Sequence, residues 1–159
     1  ETEFVLQKAP SIDAGLLQSI LQTSPVPVKV VEGHNYDVMG ACDAALATSG
    51  TVTLEAALCG LPSVICYTAS PLSMWIAKHM VYVKYIGLPN ILAGKEILPE
   101  LIQENMTPDH MAAAVLHFLE PANAAAVREE MQKAVAKLGQ PGAVERTARL
   151  ILETAKENP

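Results

Sequence analysis

The segment Asp43-Ala44-Ala45-Leu46-Ala47-Thr48-Ser49-Gly50-Thr51-Val52-Thr53-Leu54-Glu55 carries the residue types best able to do chemistry in this sequence. An apolar run that reads as a strand end passes through Ser49, Gly50 and Thr51 and turns at once into a helical pattern. The first turn of a helix leaves backbone N–H groups without partners and carries a partial positive charge. Tiny side chains at Ser49, Gly50 and Thr51 let an anion approach that backbone, and their hydroxyls offer further donors. Glu55 lies one turn deeper in the same helix. A carboxylate near a diphosphate is electrostatically misplaced unless it accepts hydrogen bonds, as it would from a ribose diol one sugar away from the phosphates. The same residues also read as a plain helix cap, with Glu55 an early-turn acid favoured by the helix dipole. The turn is not a Walker loop, since no Gly-Lys-Ser/Thr follows, and it is not a GxGxxG.

Other chemistries find less support. Cys42, Cys59 and Cys66 have no metal-ligand spacing and leave an odd thiol in any pairing, which fits a reduced, cytosolic setting. His34, His79, His110 and His117 share no ligand pattern, so no metal site is expected. Ser49 lacks the G-x-S-x-G elbow of a nucleophilic serine. A formal charge of -6 and a pI near 5.1 argue against a nucleic-acid partner.

The elements that must position the turn follow from hydropathy. Half of the 159 residues are apolar and 18% are charged, enough for one buried domain. Phe4 to Leu6 reads as a strand, and Asp13 caps a helix to about Gln22 with Leu16, Leu17, Ile20 and Leu21 inward. Val28 to Val31 is a second strand, and a short helix from about Asn35 to Gly40 leads to a third, Asp43 to Ala47. A helix from Val52 to Cys59 ends at Gly60 and Pro62, and Ser63 to Tyr67 is a fourth strand. Strands alternating with helices predict an α/β fold with a Rossmann-like parallel sheet and flanking helices. Strand signals stop at Pro99, leaving a C-terminal helical segment. One helix there carries Met111, Ala114, Val115 and Phe118 on a stripe, and the next carries Val127, Met131, Ala134, Val135 and Leu138. After the break Gly139-Gln140-Pro141-Gly142, a last helix turns Val144, Ala148, Ile151, Leu152 and Ala155 toward the sheet or a partner domain.

The stretch Ala47 to Leu58 closely resembles the central motif of lipid-A-disaccharide synthases. Tyr85-Ile86-Gly87-Leu88-Pro89-Asn90-Ile91-Leu92-Ala93-Gly94-Lys95-Glu96 is similar to a second segment of that family. Ala9 to Asp13 and Leu138 to Ala143 match it as well, so the resemblance runs over nearly the whole chain in order. It implies the donor-domain half of a two-Rossmann-domain (GT-B) glycosyltransferase. Such enzymes join UDP-2,3-diacylglucosamine to 2,3-diacylglucosamine 1-phosphate with inversion, release UDP and use no metal or other cofactor. Carried across by motif, Glu55 would hold the ribose hydroxyls, Ser49, Gly50 and Thr51 would face the diphosphate, and Asn90 would line the donor cleft. The loop Gly33 to Met39 would pack on uracil, and Lys78, Lys84 and Lys95 are either phosphate cations or ordinary solvated lysines.

The resemblance also implies what the chain lacks. Residues 1–159 would form a single nucleotide-sugar-binding domain without its first βα unit and without the acceptor domain. The general base lies in that domain, so no catalytic residue is expected here. A sheet short of its central strand predicts self-association or a missing fragment. UDP-GlcNAc 2-epimerases share the architecture and a similar glycine-then-glutamate site, and a non-catalytic assembly domain is a third reading. No 18-residue apolar stretch spans a bilayer. Leu72, Trp75, Ile76, Met80 and Tyr82, with Lys78 and Lys84, would either cover the sheet or meet a membrane surface. The expected setting is cytoplasmic, with peripheral contact to the inner membrane of a Gram-negative bacterium.

Overall fold

The computed structural model describes residues 2–70 and 84–157. Five parallel strands alternate with helices, giving a Rossmann-like α/β architecture with open sheets flanked by helices. Strand β1 is Phe4–Lys8, helix α1 Ala14–Leu21, β2 Val28–Glu32, α2 Asn35–Ala41, β3 Ala45–Thr48, α3 Thr51–Leu58 and β4 Ser63–Tyr67. Beyond residue 83 come α4 Leu88–Ala93, β5 Glu100–Ile102, a single 3₁₀ turn Gln103–Asn105, α5 Pro108–Leu119, α6 Pro121–Ala136 and α7 Ala143–Glu157.

Start and stop signals work through local chemistry, beginning with the expected Asp13 cap. The Asp13 carboxylate accepts the Leu16 N–H at 2.7 Å and caps α1. The Thr107 hydroxyl accepts the His110 N–H at 3.2 Å and Pro108 opens α5, while Pro121 opens α6. Gly94, at φ 73°, ends α4 in the left-handed conformation that glycine adopts without Cβ strain.

The strands form two sheets rather than one. β1 pairs with β2, from Phe4 opposite Val28 to Lys8 opposite Glu32. Separately, β4 sits between β3 and β5. The expected end of strand signals at Pro99 is corrected by β5, which pairs Ile65 with Glu100 and Tyr67 with Ile102. At three residues it is too short for an alternation pattern, and only its place beside β4 makes it a strand.

The core lies on the β3–β4–β5 sheet. Val64 and Ile65 are fully enclosed and pack with Ala57, Leu98, Phe118 and Met131, which brings α3, α5 and α6 onto that sheet. A smaller cluster of Met39, Ala56 and Leu61 joins α2 to α3. The stripes on α5 and α6 face inward as expected, except that Leu138 lies past the end of α6 and is exposed.

Two expected inner faces do not pack against the described sheets. On α1, Leu17 and Leu21 are half-buried, but Leu16 and Ile20 stay 59% and 58% exposed, and no residue of the helix is fully buried. On α7, Val144, Ala148, Ile151, Leu152 and Ala155 are all exposed. The Gly139 to Gly142 break, with both glycines at positive φ, carries α7 away from the sheet. Periodicity identifies an apolar face; it does not supply a surface to cover it.

Candidate functional site

The turn at Ser49 grows directly out of β3. The ladder runs to Thr48 opposite Cys66, and the Ser49 N–H then donates to the Cys66 carbonyl at 3.1 Å. The turn therefore leaves at the carboxyl edge of the sheet, where ligands of open α/β folds collect. Gly50 adopts φ 153° and ψ -165°, a region essentially closed to residues with a Cβ. This extended kink lets α3 begin at Thr51 with no side chain capping it.

Thr53 shapes the first turn from within. Its buried hydroxyl donates to the Gly50 carbonyl at 2.7 Å, and its N–H reaches the same oxygen at 3.2 Å. The N–H groups of Thr51 and Val52 make no hydrogen bond with any described residue, and both residues are exposed. Two orphan donors at the positive end of a helix are what an anion needs. One turn deeper, Glu55 is half-buried, and its carboxylate makes no ion pair or hydrogen bond with a described residue. Its carboxylate is free to accept from a ligand.

Ser49 is built in differently from the expectation that its hydroxyl is a spare donor. Its Oγ donates to the Ile86 carbonyl at 3.0 Å, so only its lone pairs remain to offer. That bond joins the Ala47–Leu58 motif to the Tyr85–Glu96 motif, which the sequence separates. Asn90 is also differently employed. Fully buried, its Nδ2 donates to the Leu98 carbonyl at 2.7 Å and to Glu100 at 2.8 Å. Its Oδ1 accepts the Ile97 and Leu98 N–H groups at 2.8 and 2.9 Å. Every polar atom of the side chain is engaged within the chain.

Three further residues hold this edge together, and the sequence reading passed over them. Glu100 on β5 accepts the Ile86 N–H at 2.9 Å and the Gly87 N–H at 2.9 Å. Gln103, at φ 52°, exchanges two bonds of 3.0 Å with the Ala69 backbone. Gly87 has no room for a side chain, since a Cβ would lie 2.2 Å from Ile65 Cδ1. None of them has a periodicity signal, because each acts through a neighbour that is distant in sequence.

The basic candidates divide. Lys95 pairs with Glu130 on α6, and Lys84 lies over the Tyr85 ring, 5.2 Å from its centroid. Lys78 and the apolar residues Leu72, Trp75, Ile76, Met80 and Tyr82 lie outside the described residues. The Gly33 to Met39 loop begins with two left-handed residues, Gly33 and His34, and the Gln7 side chain donates to the Gly33 carbonyl at 2.9 Å. Burial raises the thiols of Cys42 and Cys66, with Asp43 adding to the effect at Cys42.

Comparison with known proteins agrees with these motifs. The sequence pattern of the lipid-A-disaccharide synthetase family matches residues 2–154. The chain belongs to that family. It is 41% identical to the lipid-A-disaccharide synthase of Geobacter sulfurreducens over 154 residues, covering 96% of this chain and 40% of that protein. With the synthase of Syntrophus aciditrophicus the identity is 40%, over 98% of this chain and 41% of that protein. With that of Dechloromonas aromatica it is 42%, over 83% and 35% respectively. The chain thus spans about two fifths of the length of these lipid-A-disaccharide synthases. Family membership does not favour the epimerase alternative. Both motif segments of this lipid-A-disaccharide synthase relative meet at one sheet edge through the Ser49–Ile86 bond.

Proposed function

We propose that this chain is the UDP-sugar-binding part of an inverting glycosyltransferase of lipid A biosynthesis. The whole enzyme would join UDP-2,3-diacylglucosamine to 2,3-diacylglucosamine 1-phosphate. The observation that carries this reading is the start of α3, where two unpartnered N–H groups stand one turn above an unpaired carboxylate at Glu55. The diphosphate is received by the Thr51 and Val52 N–H groups, and the ribose diol donates to Glu55. Charge that builds on departing UDP is stabilised by the same oriented dipoles, which need no reorganisation as the bond breaks. Gly50 keeps the approach open, and Ser49 and Asn90 support the site from behind.

The acceptor and its general base belong to the remainder of the protein, and this stretch contributes binding without a catalytic residue. The sheet is divided between β1–β2 and β3–β4–β5. Among the described residues no strand joins the two halves, in keeping with a reading in which another part of the whole enzyme completes the sheet. Until that part is present, the open edges of β1 and β3 favour self-association. Among the described residues no helix is long and apolar enough to cross a membrane. Peripheral contact with the cytoplasmic face of the inner membrane is the setting proposed for the whole enzyme.

Calorimetric titration of the chain with UDP tests the reading. Saturable binding is expected, and Glu55→Ala weakens it about tenfold or more, the worth of hydrogen bonds to a charged group. Tight self-association with no UDP binding would instead support the assembly-domain reading.

A further inference from the structure

The Ile86–Gly87 peptide unit is held at both ends by groups far away in sequence. Its N–H, on Gly87, donates to Glu100 Oε1 at 2.9 Å. Its carbonyl, on Ile86, accepts the Ser49 hydroxyl at 3.0 Å. The preceding N–H, on Ile86, donates to Glu100 Oε2 at 2.9 Å, and the buried Asn90 amide is the third donor to this carboxylate, at 2.8 Å. A half-buried carboxylate surrounded by donors in this way is held in one orientation. A charged acceptor on an amide N–H also polarises that amide, making its carbonyl a better acceptor for the next group in line. Here the next group is Ser49, the first residue of the turn that opens α3.

We propose that Glu100 is a positioning residue for the Ser49–Gly50–Thr51 turn, acting through the Ile86–Gly87 peptide. Ser49 is pinned by its N–H on Cys66 and by its hydroxyl on Ile86. The second restraint exists only while Glu100 holds the 86–87 segment against β5. Gly87 is the residue that makes the approach possible, because any Cβ there would collide with Ile65 and crowd Glu100. Glu100 acts on the turn through this peptide. It fixes the direction in which the Thr51 and Val52 N–H groups point, and so sets how well they receive an anion.

This inference rests on the reading of α3 as a diphosphate site, and the two fail differently. Lack of UDP binding by the unaltered chain would defeat the site reading. The coupling itself is read without ligand, from backbone amide resonances. Glu100→Gln replaces an acceptor oxygen with an NH₂ that faces N–H donors. It is expected to shift the Thr51 and Val52 amide resonances, although neither residue touches position 100, and to weaken UDP binding about tenfold. Ser49→Ala cuts the same relay at its other end, so the double variant should bind UDP no more weakly than the worse single variant. Phe118→Leu, a core change that removes no hydrogen bond of the relay, sets the effect of lost stability alone. Unshifted Thr51 and Val52 resonances, additive losses in the double variant, or a Glu100→Gln loss no larger than that of an equally destabilised Phe118→Leu protein would each overturn the proposal. Should Glu100→Gln fail to fold, Ser49→Ala alone decides. The Gly87 amide proton must then move upfield as its peptide loses polarisation, and a stationary resonance refutes the relay.

Discussion

The two sheets of this molecule are built from similar βα units but are buried to very different degrees. In the β3–β4–β5 half, β4 has a strand on each side and helices above it, so Ser63, Val64 and Ile65 are sealed from solvent. In the β1–α1–β2 half, α1 has no buried residue, and Phe4, Val5 and Val30 all remain exposed. Both halves have the apolar content of a core. The difference is enclosure: a strand is buried when neighbours occupy both edges and both faces, and among the described residues β1 and β2 pair only with each other. The candidate site grows from the enclosed half, where Thr53, Asn90 and Ser63 are buried polar residues with their hydrogen bonds satisfied. Rigid support of this kind is what holds orphan donors at a helix start in one place.

This contrast can be broken most directly by truncating apolar residues in each region. Met131→Ala, in the enclosed core, is expected to cost about 2–5 kcal/mol in urea unfolding, the range for a cavity at a fully buried site. Ile151→Ala on α7 should change stability by less than about 0.5 kcal/mol, as an exposed position does. A large loss at Ile151 would mean that α7 is covered in solution. Sedimentation would then tell whether a second copy provides the cover.

Hydrogen exchange sharpens the comparison at the next scale. Amides of β4 should exchange only through global opening, whereas those of β1 and β2 should exchange at least about tenfold faster through local opening. Equal protection would show that both sheets form one cooperative unit and that the exposed faces of the first half are no weakness.

The smallest effect concerns a surface tie inside the enclosed half. Hydrogen bonds from Lys95 and Lys133 hold the Glu130 carboxyl well down, to about 2, and join the end of α4 to α6. Because the folded value lies below the ordinary 4.5, the stabilisation is complete above pH 4.5 and disappears as the pH falls toward 2. Carbon NMR should follow a low Glu130 midpoint, and Lys95→Met should move it upward. An ordinary midpoint in the unaltered chain would remove this tie. Solvent keeps its worth small, as for exposed ion pairs generally.

Hydropathy made much of this architecture legible. The strands β1 to β4, the Asp13 and Thr107 caps and the stripes of α5 and α6 all follow from periods of two and 3.6 or from local capping chemistry. The Ser49-Gly50-Thr51 turn and Glu55 were visible because their chemistry is local: tiny residues at a helix start and an acid one turn on. β5 and the exposure of α1 and α7 were not visible. The first depends on β4 beside it, and the others on the absence of a covering surface among the described residues.

The sequence alone determined most of the helical segments, though not α4, as well as where the chain turns and where small residues open a helix in the way the proposed anion site needs, since each depends on residues within a few positions of one another. The tertiary structure decided the rest. It bound the Ser49 hydroxyl to Ile86, engaged every polar atom of Asn90 and set Glu100 against the 86–87 peptide. These partners lie from seven to 37 residues apart, and a hydrogen bond between such groups exists only after the sheet has brought them within 3 Å. Spacing along a chain sets local geometry, but packing chooses which distant groups meet.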